Sequence, residues 1–207
     1  MKAPDVTIIA REIAHQIKSV PGTGRRLIAL AGPPAAGKST VSEALVSELG
    51  EDAALVAMDG FHFSNAILDA RGLRPRKGAP ETFDLAGFKA LLHRLKTEEE
   101  VAVPTFDRKL DTSIGSSRLI EAHHQTLVVE GNYLLLDEPG WRELAGFWDF
   151  SVFLDVPVET LKSRLIQRWL DHGFDQAGAE KKALSNDIPN ALRIVENRLK
   201  ADFVFSS

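Results

Sequence analysis

Short apolar runs alternate with amphipathic stretches along most of this chain. Residues Leu27 to Ala31, Ala53 to Ala57, Thr126 to Val129 and Ser151 to Leu154 are compact apolar or β-branched runs, and each predicts a buried strand. Val101 to Phe106 predicts a strand that Pro104 confines to an edge, and Asp202 to Phe205 predicts a last one. Helical spacing fills the intervals. Pro4 to Val20 places Val6, Ile9, Ile13 and Ile17 on one face, and Pro21-Gly22-Thr23-Gly24 ends that helix. Thr40 to Leu49 repeats the pattern through Val41, Ala44, Leu45, Val46 and Leu49. Phe61 to Ala70 reads as helical, and Gly72 to Pro80 as a loop rich in Gly, Pro, Arg and Lys. Asp84 is placed to cap a helix reaching about Leu95, with Leu85, Phe88, Leu91, Leu92 and Leu95 on its buried side. Pro157 opens a helix to about Asp171, and Ala177 to Leu199 predicts another, broken near Pro189.

This alternation predicts an α/β fold, three-layer α/β/α with a mostly parallel central sheet. Ligands of such sheets bind beyond the carboxyl ends of the strands. Asp59 and Glu130 each directly follow a predicted strand, so both are expected at that edge.

The segment that ends the first strand carries the chemistry. Gly32-Pro33-Pro34-Ala35-Ala36-Gly37-Lys38-Ser39-Thr40 matches G-x-x-x-x-G-K-[ST], between a predicted strand and a predicted helix. A strand, a glycine loop and a helix N-terminus in succession aim several backbone N–H groups at one point, which attracts phosphate. Lys38 adds a positive charge for the β- and γ-phosphates, and the Ser39 hydroxyl is the expected Mg²⁺ ligand. The reading is a P-loop NTPase fold that binds a nucleoside triphosphate.

Phosphoryl transfer also needs a second metal carboxylate, a base and charge stabilisation. Glu130, at the end of Leu127-Val128-Val129, is the candidate carboxylate, and Asp59 the candidate base for an acceptor hydroxyl. His62 is a further candidate substrate contact. Arg74, Arg76 and Lys77 supply positive charge from the loop; Arg164 and Arg168 share one helix face at i and i+4.

Composition narrows the setting. The 207 residues suffice for one well-buried α/β domain, and 44% hydrophobic with 26% charged residues is ordinary for a globular chain. The net charge of −4 argues against a nucleic-acid surface. Without cysteine there is no disulfide, thiol nucleophile or cysteine-held zinc. Asp5, Arg11 and Glu12 stand where a signal peptide would need apolar residues, and no apolar stretch reaches membrane-span length, so a cytoplasmic enzyme is expected. A GTPase would need Asn-Lys-x-Asp, and no asparagine here precedes a lysine. The Asp-x-x-Gly matches at Asp69 and Asp137 do not directly follow predicted strands.

The phosphate loop, followed by Met58-Asp59-Gly60-Phe61-His62 and Lys77-Gly78-Ala79-Pro80-Glu81-Thr82-Phe83-Asp84, resembles the uridine kinase, phosphoribulokinase and bacterial pantothenate kinase group of P-loop kinases. The nearer likeness is to the branch of fructose transport system kinases, or pantothenate-kinase-like proteins. Val129-Glu130-Gly131-Asn132-Tyr133, the span Arg164 to Arg168, and Asn186-Asp187-Ile188-Pro189-Asn190 fit as well, so the likeness runs from about Leu27 to Asn190. It implies a single kinase domain over residues 1–207, with an N-terminal helix in 1–22 and acceptor or lid segments at 72–83 and 164–190. It implies an ATP-dependent phosphotransferase whose acceptor is a hydroxyl on a small molecule: a sugar such as fructose, a pantothenate-like acid or a nucleoside. Asp59 would be the base, Glu130 the metal or water carboxylate, Lys38 the phosphate clamp, and Arg168 with Arg164 the lid charge. Phe83, Asp84 and Arg108 would line the acceptor side. Gly60-Phe61-His62 stands where uridine kinases have a serine-aromatic pair, and Trp169-Leu170-Asp171-His172 replaces their dense arginine run, which weakens a nucleoside assignment. A homodimer is compatible with the wider group. The alternative is a nucleotide-hydrolysing switch or a regulatory ATP-binding protein without an acceptor; the joint presence of Lys38, Ser39, Asp59 and Glu130 argues for the kinase.

Overall fold

A computed structural model describes residues 5–20 and 24–206. Five strands form one parallel sheet: β1 (Arg26–Ala31), β2 (Ala53–Ala57), β5 (Thr126–Gly131), β6 (Phe150–Asp155) and β7 (Phe203–Ser206). Their order is β2-β5-β1-β6-β7. Strands buried on both faces read as continuous apolar runs, which is why Leu27–Ala31 and Leu127–Val129 were visible in the sequence.

Alternate side chains of these strands enter two cores. Ile28, Leu30, Val128, Val152 and Leu154 pack with α1 (Val6–Lys18), α2 (Lys38–Leu49) and α5 (Val158–Asp171) through Ile13, Ile17, Leu45 and Leu161. Leu27, Ala29, Leu127, Val129 and Phe153 face the other way, onto Phe88, Leu91, Leu92 and Leu95 of α4 (Leu85–Thr97). Asp5 caps α1 by accepting from the Thr7 N–H at 2.9 Å. The predicted helix terminator at residues 21–23 lies outside the described residues.

The structure differs from the sequence reading at four places. Phe61 to Ala70 is not one helix. Met58–Phe61 is a 3₁₀ turn, His62 bridges to Phe83, and only α3 (Asn65–Ala70) is α-helical, capped by Ser64. The predicted strand at Val101 is β3 (Val101–Asp107), and it pairs not with the main sheet but with β4 (Thr112–Ile120) in an antiparallel ribbon. The run Ala177–Leu199 is not broken at Pro189. Here α6 (Gln176–Lys182) passes through a π-turn at Ala183–Asp187 into α7 (Ile188–Glu196). Pro189 has no N–H to donate into the preceding turn, and a wider turn there spares it. Leu85 is only partly buried, whereas the rest of its predicted face is buried.

The ribbon is held close to the site. A Cβ on Gly60 would lie 2.7 Å from the Pro104 carbonyl oxygen, so glycine at position 60 lets β3 pack directly on the turn that carries Asp59.

Candidate functional site

Three strand ends converge. β5 lies between β2 and β1, with Leu30 and Ala57 both in register with Glu130. The phosphate loop leaves β1, the turn bearing Asp59 leaves β2, and Glu130 sits at the end of β5. The cleft above them, about 870 Å³, is lined by Lys38, Ser39, Thr40, Asp59, His62, Arg108, Glu130, Arg168 and others.

The phosphate loop is shaped as its sequence predicts. Gly37 has φ +91°, a conformation that glycine enters freely, directly before the first residue of α2. Ala35 has φ +64°, strained for a residue with a Cβ, and its carbonyl accepts from Arg164 Nη1 at 3.1 Å. Arg164 thus braces the loop from α5, while Arg168, one turn on, faces the cleft.

Lys38 is buried, and its ammonium donates to the Pro33 carbonyl at 3.0 Å and to Asn132 Oδ1 at 2.6 Å. Burial pulls its pKa down to about 8, against the opposing pull of Glu130 and Asp59. Burial likewise raises the pKa of Glu130, and Lys38 opposes it. The Ser39 hydroxyl lies 3.3 Å from both Glu130 carboxylate oxygens. One hydroxyl and one carboxylate are hard oxygen donors that fit Mg²⁺ arriving with phosphate oxygens and water. Among the described residues there is no group of three or more His, Cys, Asp or Glu able to hold a metal alone.

Asp59 stands beside Arg108, whose Nη2 lies 3.9 Å from Asp59 Oδ2. His62 stacks on Phe83 with ring centroids 4.0 Å apart and tilts against Phe106 at 4.9 Å. Its Nδ1 is buried without a hydrogen-bond partner, and burial lowers its pKa to about 4, so the ring is neutral at pH 7.

Other candidates are engaged elsewhere. Lys77 reaches the cleft, but its ammonium is held at 2.7 Å by Asn65 Oδ1, Asp111 Oδ1 and the Asp111 carbonyl. Arg76 pairs with Glu81 at 2.6 Å and does not line the cleft. Phe83 is 4% exposed, in the core against Tyr133 and Trp141, and Asp84 caps α4 through the Gly87 N–H. Neither is brought to the cleft wall.

The sequence reading assigned no individual role to Asn132, Tyr133, Asp111, Trp169, Asn186, Asp187 or Asn190, all of which line the cleft, although the last four fall within the 164–190 segment expected at the acceptor or lid. Asn132 and Tyr133 had a signal, since they directly follow Glu130-Gly131. Asp111 had none, because it lies in the turn of a ribbon whose second strand is polar and exposed.

Comparison with known proteins agrees with this architecture. Residues 27–205 match the model of the Phosphoribulokinase / Uridine kinase family. A crystal structure of a "putative fructose transport system kinase" from Silicibacter sp. TM1040 superposes with TM-score 0.90 at 44% identity, covering 98% of this chain and 100% of that one. The "Uncharacterized protein YggC" of Escherichia coli K12 is 38% identical over 87% of this chain and 77% of its own length. A "Putative uridine kinase" of Schizosaccharomyces pombe is 31% identical over 98% of this chain and 92% of its own. With an α/β fold, a phosphate loop at the end of β1 and a family match over most of its length, this chain belongs to the Phosphoribulokinase / Uridine kinase family of P-loop kinases.

Proposed function

We propose that this protein transfers the γ-phosphoryl group of ATP to a hydroxyl of a small molecule, and that residues 1–207 act as one kinase domain. The observation that carries the reading is the meeting of Asp59, Glu130 and the phosphate loop at one sheet edge, under an open cleft. A nucleotide site alone would not need a carboxylate poised between the phosphate end and free space.

In this reading Lys38 and the N–H groups of the loop hold the β- and γ-phosphates, and nucleotide phosphate displaces the Lys38 contact to Asn132. Bound Mg²⁺ would neutralise phosphate charge, with Ser39 and Glu130 as its protein-side ligands. Asp59 accepts the proton of the acceptor hydroxyl as its oxygen bonds to the γ-phosphorus. The bond from phosphorus to the bridging β–γ oxygen breaks, and ADP leaves with that electron pair. Arg168 and Arg108 flank the transfer point and counter charge on the transferring group, and Arg164 fixes the loop. The loop 72–83 and the stretch 164–190 are the segments that close over the ligands.

The names of the relatives, a "putative fructose transport system kinase" and a "Putative uridine kinase", support an alcohol acceptor. The test is acceptor-dependent ADP formation from ATP and Mg²⁺, compared in wild type and Asp59→Asn. Turnover that depends on an acceptor and is lost in the variant supports the reading. Hydrolysis indifferent to every acceptor and to Asp59 favours a nucleotide switch.

A further inference from the structure

The β3–β4 ribbon is fastened along the segment that leaves Asp59. Pro104 packs on Gly60, the Ser113 hydroxyl donates to the His62 carbonyl at 3.0 Å, and Asp111 reaches Asn65. The last of these contacts holds the ribbon's tip. Lys77 donates to the Asp111 carbonyl and to Asp111 Oδ1, each at 2.7 Å, and Asn65 Nδ2 donates to Asp111 Oδ2 at 3.0 Å. Arg74 Nη2 stands 3.7 Å from the same carboxylate. Both α3 and the 72–83 loop therefore close on one residue.

Asp111 holds that place against backbone strain. Its φ is +51°, a left-handed conformation that few residues other than Gly, Asn and Asp enter. Such strain persists where surrounding contacts over-determine it, and here those contacts are Lys77 and Asn65. The rest of the tip has no such anchor. Asp107 Oδ1 accepts from the N–H groups of Lys109 and Leu110 at 2.8 and 3.0 Å, which shapes the turn without attaching it to another element. Among the described hydrogen bonds, Asp111 alone of residues 108–111 joins the tip to the body of the protein.

The tip carries Arg108. Its side chain is 65% exposed and its Nη2 is 3.9 Å from Asp59 Oδ2, with no hydrogen bond to fix it among the described residues. It lines the main cleft and also a smaller one of about 220 Å³, and both cavities include Ser39, Asp59 and Glu130. A long exposed side chain without a bond of its own is placed by the backbone that bears it. That backbone is anchored at the end of the same turn, by Asp111.

We infer that Asp111 is a positioning residue, which pins the ribbon tip to Lys77 and Asn65 and so holds Arg108 at the transfer point. This rests on the kinase reading above and gives the Lys77 ammonium a part in placing Arg108. The 72–83 loop and Arg108 then move as one unit.

The test is a double-mutant cycle in the full-length protein with ATP, Mg²⁺ and fructose, uridine and pantothenate as parallel acceptors. Asp111→Gly suits a positive φ and removes the carboxylate. It is expected to lower kcat about tenfold by misplacing Arg108, with KM for ATP within about twofold of wild type. Arg108→Gln should lower kcat by at least as much. Adding Asp111→Gly to it should cost about twofold or less, because the group being positioned is already gone. Asp111→Asn tolerates the same φ and still offers Lys77 an oxygen, so kcat should stay within about threefold of wild type. A merely structural role would not give this pattern. Hydrogen exchange at the amides of residues 108–111 should quicken in Asp111→Gly while β3 and β4 keep their protection. Lys77→Met releases the tip from the other side and carries the same cycle if the glycine variant fails to fold. Losses that multiply in the double variant overturn the inference and leave the kinase reading intact. Unchanged kcat or unchanged tip exchange in Asp111→Gly does the same. Absence of acceptor-dependent turnover in wild type with all three compounds overturns the kinase reading and this inference with it.

Discussion

The Ser39 hydroxyl sits 3.3 Å from each carboxylate oxygen of Glu130, so the first turn of α2 and the end of β5 share one polar contact. That contact joins the phosphate loop to the sheet edge where Asp59 also arrives. The proposed chemistry depends on this junction, and its consequences can be measured group by group.

Replacing Asp59 by Asn removes the base and keeps the shape. Turnover should fall by about 100-fold or more, the usual worth of a positioned general base. KM for ATP should change far less than kcat, because Asp59 acts on the phosphate loop only through its charge on Lys38 and makes no hydrogen bond to it among the described residues. Steady-state kinetics with a confirmed acceptor decides this. Near-normal kcat would remove Asp59 from the proposed role.

Lys38 makes nucleotide binding depend on pH. Burial holds its pKa at about 8 in the free protein. Triphosphate favours the charged ammonium and raises that value, so binding above pH 8 takes up a proton and affinity weakens as pH rises through 8. Calorimetry at pH 8.5 in buffers of different ionisation enthalpy should register the uptake, and Lys38→Met should abolish it along with most of the affinity. Equal heats in all buffers for wild type would contradict the assignment.

His62 links folding to acid. Its folded pKa of about 4 lies below the unfolded value of about 6.5, because burial disfavours the imidazolium. The unfolded chain therefore binds the extra proton between these values. Stability from this group is complete above pH 6.5 and is lost as pH falls toward 4, by at most about 3 kcal/mol. His62→Phe preserves the stack on Phe83 and should flatten the loss of stability over that window in urea titrations. Parallel curves for the two proteins would place the acid sensitivity elsewhere.

Arg25 tests the frame rather than the site. Its guanidinium donates to the carbonyls of Leu95, Glu98, Glu99, Glu121 and His124, gathering the end of α4 and the turn before β5. Arg25→Ala should destabilise the fold by roughly 2–3 kcal/mol through orphaned carbonyls, with no change in acceptor preference. Thermal unfolding measures it, and an unaltered Tm would show that water replaces the clamp at no cost.

Legibility in the sequence followed locality. The phosphate loop, Asp59 and Glu130 were readable because each belongs to one short segment and the strand ending is itself a signal. Asp84 was readable as a helix cap for the same reason. The ribbon was not, because β4 passes through Gly115-Ser116-Ser117 with Ser116 at φ +53°, and it lacks the alternation that marks a half-buried strand. Arg74, Arg76 and Lys77 looked like free cations for a ligand. Their neutralisation by Asp111 and Glu81 depends on how a loop folds back, which spacing along the chain does not encode. The Asn186–Asn190 stretch stood out by resemblance alone. Its place on the cleft wall comes from the π-turn ahead of Pro189, a widening that helical periodicity does not report.

The most direct measurement follows the phosphoryl group itself. ATP labelled at the γ-phosphate is incubated with the protein, Mg²⁺ and an acceptor that supports ADP formation, and the products are separated. Label is expected on an acceptor hydroxyl in wild type and almost none with Asp59→Asn. Label released only as inorganic phosphate, at the same rate with and without acceptor and in both proteins, would contradict it.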